Sequence, residues 1–219
     1  MRAPLGSLFL LGAATFAGAA PCAGQVSVEL ASFAGIYVPT SHIIDSFSFS
    51  PGDAKGEVRQ HTTSALGARV TTWLTKRIGI DLSVDYSGAG ATSMLLSPPL
   101  MGHVTNASAR VLVGVTPRSV PVSFALTAGP ARIVHGGAAY SNVWLANTSW
   151  GTVVGAVGRF RLTHALALRA ELDDYIYRFS GTQAPPPLLS AFRGSPLRHD
   201  LVCSLGISLI PFRHGGAAP

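Results

Sequence analysis

The sequence predicts an all-β chain: an eight-stranded antiparallel up-and-down transmembrane barrel with short periplasmic turns and long outer loops. Three observations predict it. Stretches with a period of two recur eight times, the connections between them alternate short and long, and charge keeps almost entirely to one face of each stretch. Composition agrees with this. Apolar residues make up 47% of the 219 residues. Charged residues make up only 12%, against about 25% in a typical soluble domain. Beyond the N-terminus no span of about twenty strongly apolar residues offers a membrane helix. The nearest, residues 136–158, is uncharged but contains five Gly and two Asn.

The N-terminus reads as a secretory signal over residues 1–24. Arg2 gives the positive start, Leu5 to Ala20 the apolar stretch, and Cys22-Ala23-Gly24 the small residues before Gln25. The expected organisation is a signal peptide over 1–24, an outer-membrane barrel over 25–213 and a short tail over 214–219. With Cys22 removed in the signal, Cys203 would remain alone, which excludes an internal disulfide.

The strands follow in order. The first, Val26 to Val38, sets Val28, Leu30, Ala34, Ile36 and Val38 on one face. The second, Thr62 to Leu74, does so with Leu66, Ala68 and Val70. The third, Ile78 to Gly88, alternates Ile78, Ile80, Leu82, Val84 and Tyr86 with Gly79, Asp81, Ser83 and Asp85. The fourth, Thr105 to Val115, and the fifth, Val120 to Ile133, carry Ala107, Val111 and Val113, then Val122, Phe124 and Leu126. The sixth, Ser149 to Leu162, carries Trp150, Val154, Ala156 and Phe160. The seventh, Ala165 to Phe179, carries Leu166, Leu168 and Leu172. The eighth, Leu197 to Phe212, carries Leu201, Cys203, Leu205, Ile207 and Leu209. Each is at least about ten residues long, the length a tilted strand needs to cross a bilayer.

Short turns follow the second, fourth and sixth strands: Thr75-Lys76-Arg77, Thr116-Pro117-Arg118-Ser119 and Thr163-His164. Long connections take the other positions: Pro39 to His61, Ala89 to Val104, Val134 to Thr148 and Ser180 to Pro196. This strict alternation is the pattern of a membrane barrel.

Charge decides which face looks inward. The polar faces carry Glu29, Arg69, Asp81, Asp85, Arg110, Arg159, Arg161, Arg169, Glu171, Asp173, Arg198 and Asp200. The apolar faces carry only Arg132, Asp174 and Arg178, all towards the long loops. An Arg at the lipid midplane costs about 2–4 kcal/mol and much less near the interface. The twelve polar-face charges are six acids and six bases, and every base is Arg. Arg suits bidentate carboxylate pairing in a confined site, whereas Lys is the usual solvated residue. Small residues, among them Ala31, Gly35, Gly67, Gly79, Ser83, Ser108, Gly155, Ser204 and Gly206, stand between the charges. A narrow eight-stranded barrel has room for such side chains and little else. The twelve charged residues are therefore expected to form a structural network in a plugged lumen. Parity also sends Trp73, Tyr177, Phe179 and Phe212 inward.

With these features the chain resembles the small eight-stranded outer-membrane barrels of Gram-negative-type bacteria, the class that includes OmpX and the OmpA barrel domain. The closing strand, Arg198-His199-Asp200-Leu201-Val202-Cys203-Ser204-Leu205-Gly206-Ile207-Ser208-Leu209-Ile210-Pro211-Phe212, resembles that family's C-terminal insertion signal. Arg213 to Pro219 extend beyond it, where the family often ends on the aromatic residue. The resemblance implies residence in the bacterial outer membrane and contact with outer-membrane lipid and lipopolysaccharide. It also implies insertion by the barrel-assembly machinery. A closed barrel has no edge to cover, which implies a monomer.

Other chemistry is weakly marked. The net charge of +6 from 16 basic and 10 acidic residues comes with no nucleic-acid motif and only two Lys, so no nucleic-acid partner is expected. Asp173 and Asp174 fall on opposite faces, which argues against a joint acid–base role. The seven His are scattered, so no metal and no cofactor are expected. A Ser/His/acid set at the outer rim can be drawn from Ser97, His103 and Asp174. The leading expectation is nevertheless a non-enzymatic barrel acting structurally or through its outer loops. The alternatives are a lipid-modifying barrel enzyme and a soluble lipocalin-like carrier with the faces inverted.

Overall fold

The computed structural model describes residues 26–40, 44–47, 56–88, 91–93, 101–141, 147–178 and 197–213. The signal segment 1–24, the tail 214–219, Ser97 and Phe179 lie outside the described residues. In chain order the elements are β1 (Ser27–Pro39), β2 (Ile44–Phe47), β3 (Gly56–Gln60), β4 (Thr63–Trp73), β5 (Ile78–Ser87), β6 (Ala91–Ser93), β7 (His103–Gly114), β8 (Val122–Gly136), a short helix α1 (Ala138–Ser141), β9 (Asn147–Arg161), β10 (Leu166–Tyr177) and β11 (Arg198–Arg213).

Eight of the strands close a barrel in the order β1-β11-β10-β9-β8-β7-β5-β4, and β4 returns to pair with β1. Every barrel pairing is antiparallel and, apart from the β1–β11 closure, joins barrel strands that follow one another along the chain. The faces fall as the alternation predicts. In β5, Ile80 and Leu82 are 45% and 53% exposed, while Asp81 and Asp85 are 0% and 2% exposed. The same holds around the wall. Leu30, Ile36, Leu66, Val113, Phe124, Leu126, Leu205 and Ile207 all stand outside. Such a continuous apolar exterior around a charged interior is a lipid-facing belt.

The Thr of each short turn accepts backbone N–H groups. The Thr75 hydroxyl accepts the N–H groups of Arg77 and Ile78 at 3.1 and 2.9 Å. Thr116 accepts the Phe124 N–H at 2.8 Å, and Thr163 accepts the Ala165 N–H at 3.2 Å. A hydroxyl beside the backbone satisfies donors that a tight reversal would leave open.

Three details differ from the sequence reading. The third long connection is shorter than Val134 to Thr148, because Val134 and Thr148 pair in the ladder and only residues 137–146 remain between strands. It opens on Gly137, whose φ of 90° turns β8 into α1. The first two long connections contribute β2, β3 and β6, which form a separate three-stranded sheet. These strands are three to five residues long, too short for periodicity to mark. Finally, the β1–β11 register slips by one between the Val28–Phe212 and Leu30–Leu209 pairs. Pro211, with no N–H to give, lies in the slip.

Candidate functional site: the barrel lumen

Alternation carries one side chain in two into a narrow space, and the lumen fills at three levels. The middle level is ionic. Arg110 on β7 pairs with Asp81 on β5 and reaches across to Asp173 on β10 at 2.6 Å. It also lies 3.3 Å from Glu171. Arg69 on β4 and Arg169 on β10 both pair with Glu171, and both approach Asp81, at 3.8 and 3.6 Å. Thr71 donates to Asp81 at 2.6 Å and accepts from Arg169 at 2.7 Å. Three guanidiniums thus meet three carboxylates, all buried. The Arg110–Asp173 and Arg69–Glu171 pairs join strands that are not neighbours in the sheet. Just outward, Asp85 accepts from Asn106 at 2.8 Å and from Tyr175 at 2.9 Å.

Glycine makes room for this level. Phe33 on β1 points inward between Gly67 and Gly206, its partners on the two flanking strands. A Cβ at Gly67 would overlap the Phe33 ring. The ring in turn carries the Arg69 guanidinium 4.3 Å from its centroid. Gly155 stands opposite Asp173, and a Cβ there would strike the carboxylate that reaches Arg110.

At the short-turn end, Arg118 leaves its turn and enters the barrel. Its Nε donates to Glu29 at 2.9 Å, it also pairs with Ser27, and it lies 5.4 Å from the Trp73 ring centroid. Arg159 approaches the same Glu29 oxygen at 3.3 Å. A pocket lined by Trp73, Arg118, Ser123, Arg159 and Arg169 holds about 10 Å³, room for about one water molecule.

At the long-loop end the network is phenolic. Tyr37 and Tyr177 both donate to Asp200, at 2.5 and 2.6 Å. The Tyr177 hydroxyl lies 3.2 Å from His135, whose ring meets Tyr140 of α1 edge-on at 5.2 Å. Gln60 of β3 donates to the Tyr140 hydroxyl at 2.7 Å. Burial pushes the Tyr140 phenol up to about 12. Arg198 is fully buried beside Tyr177 in the β10–β11 register.

Of the twelve charges assigned to the lumen by sequence, eleven are buried there, and Arg161 is half-buried at the short-turn rim. Trp73 and Tyr177 are also buried inside. Arg132 and Arg178 are exposed outside, and half-buried Asp174 pairs with His199 at 2.9 Å. The rim set of Ser97, His103 and Asp174 is not brought together by the described residues. His103 stacks on Tyr86 at 5.5 Å, and the partner of Asp174 is His199. No group of three or more His, Cys, Asp or Glu among the described residues is arranged to hold a metal.

Sequence reasoning missed Arg118, which it left in a turn, and the acceptor role of Asp200 for two tyrosines. It also missed the apolar share of the lumen: Val104, Leu112, Ile133, Val153, Val157 and Val202 are buried there. A closed lumen must be filled, and apolar volume serves wherever no charge needs a partner.

Solved structures share this architecture. The outer membrane protein OprG from Pseudomonas aeruginosa superposes at a TM-score of 0.58, covering 87% of this chain and 97% of its own, at 10% identity. The fold is that of the small outer-membrane barrels. The outer membrane protein AlkL, solved in DMPC lipid bilayers, matches this outer-membrane barrel at a TM-score of 0.57 and 13% identity, over 92% of this chain and 97% of its own. No protein-family model and no curated protein matches the sequence. The lipid-facing belt and the shared fold put this outer-membrane barrel in the bacterial outer membrane, with its short turns on the periplasmic side.

Proposed function

We propose that this outer-membrane barrel is a non-enzymatic, non-conducting protein whose lumen is a structural plug. Its work lies at its outer loops and lipid-facing wall. The observation that carries this reading is the middle level of the lumen. There Arg69, Arg110 and Arg169 meet Asp81, Glu171 and Asp173 from four strands and leave no unbalanced formal charge. A water-filled passage would need open, solvated charge instead. Its partners on this reading are outer-membrane lipid and lipopolysaccharide, with the barrel-assembly machinery during insertion, and it acts as a monomer. Planar-bilayer recording tests the plug. Wild-type protein is expected to show no stable openings, and steady ohmic conductance would overturn the reading.

A further inference from the structure

The lipid-facing wall carries one arrangement that neither the plug nor the belt uses. Arg132 on β8 is the direct cross-strand partner of Trp150 on β9. On the other side of β9, Gly151 pairs with Tyr177, which sets Arg178 beside Trp150. All three side chains are outside, and Trp150 is 71% exposed. The outcome is an Arg–Trp–Arg row across β8, β9 and the residue that follows β10. Side chains in directly opposite positions lie about 5 Å apart, and the two outer strands are about 10 Å apart. Neither guanidinium has an ion-pair partner among the described residues. The nearest outward carboxylate on these strands, Asp174, is taken by His199.

Depth gives the row its meaning. The exposed Phe160, the last outward residue within β9, stands near the periplasmic end of the apolar belt, ten residues from Trp150. Ten residues span about 33 Å along a strand. At the usual tilt of about 35–45° this becomes about 25 Å across the bilayer, the height of an outer-membrane apolar band. The row therefore stands where outer-leaflet acyl chains give way to headgroups. Trp suits that boundary, and an Arg there costs far less than at the lipid midplane.

We propose that Arg132, Trp150 and Arg178 form a binding site for the phosphorylated headgroup of lipopolysaccharide. The guanidiniums hold phosphate by charge-assisted hydrogen bonds, and the indole packs against the first carbons of the acyl chains. This site deepens the reading that the barrel acts through its lipid-facing wall. It stands or falls separately from the plug, which bilayer conductance tests.

The test uses the full folded barrel, immobilised in zwitterionic detergent, with binding read by surface plasmon resonance. The probes are diphosphorylated lipid A, the same lipid A dephosphorylated, and phosphatidylglycerol. Wild-type protein is expected to prefer the phosphorylated lipid A over both others. R132Q/R178Q is expected to lose that preference, with affinity down about tenfold or more. R77Q, which removes a cation from the periplasmic end, is expected to bind as wild type. Faster migration of unboiled samples on a gel confirms that each variant is folded. Equal binding by wild type and R132Q/R178Q would overturn the proposal, as would indifference of the wild type to the phosphates. Equal affinity for phosphatidylglycerol would overturn the assignment to lipopolysaccharide.

Discussion

The middle of the lumen and its outer mouth are both buried polar networks, yet they are built differently. The middle rests on ion pairs between residues of the barrel wall: Arg69, Arg110 and Arg169 against Asp81, Glu171 and Asp173. The mouth rests on phenols and an amide: Tyr37 and Tyr177 donate to Asp200, and Gln60 donates to Tyr140. Two of its members, Gln60 and Tyr140, come from elements in the long connections rather than from barrel strands. At the middle, charge pairing thus sits where the wall holds every partner in register. Neutral hydrogen bonding takes over where loop elements must dock. A buried charge without its partner is far more costly than an unmade neutral hydrogen bond, so the ionic level belongs on the most rigid part.

The sharpest way to break this contrast is at Arg110. Arg110→Met leaves Asp81 and Asp173 buried without their main cation and should cost about 3–5 kcal/mol, read by urea unfolding in lipid vesicles. At the mouth, Tyr177→Phe removes one of two donors to Asp200 and should cost about 1–3 kcal/mol in the same assay. If the two losses are equal, the distinction between an ion-paired middle and a mouth held by phenol hydrogen bonds fails. Gln60→Ala should cost the least, about 1 kcal/mol, with faster hydrogen exchange confined to α1 and β3. Exchange that spreads to the barrel strands would mean the mouth is not a separate layer. The raised Tyr140 phenol adds a pH arm. Its folded value lies above the free one, so its contribution holds below about pH 10 and fades as pH rises towards about 12. Ultraviolet titrations of wild type and Tyr140→Phe should differ by one phenol that ionises late, and a difference at the free phenol value would contradict its burial.

The faces of the strands were legible in the sequence because a barrel wall punishes error. A slip of one residue would put Asp81 and Asp85 into lipid and Ile80 and Leu82 inside. The alternation of Thr-led short turns with long connections made the antiparallel order legible as well. The level of each side chain was not. Alternation tells that Arg110 and Asp173 both face inward, but their meeting depends on how strands that are not neighbours stagger around the barrel. The seat of Phe33 between Gly67 and Gly206 was hidden for a related reason, since those glycines lie on the two strands flanking β1 and read only as small inward residues. Arg118 was hidden because a turn residue has no parity. Helix α1, four residues long, is too short for any period to mark.

The most direct test of the lumen account is a double-mutant cycle on Arg110 and Asp173, with Arg110→Met, Asp173→Leu and the pair, each measured by reversible unfolding in lipid vesicles. The account predicts strong coupling: the double variant should be less destabilised than the sum of the singles by about 1–3 kcal/mol, because each single change strands the other's charge. Additive losses would contradict it, and would mean that the two side chains face water in an open lumen rather than each other.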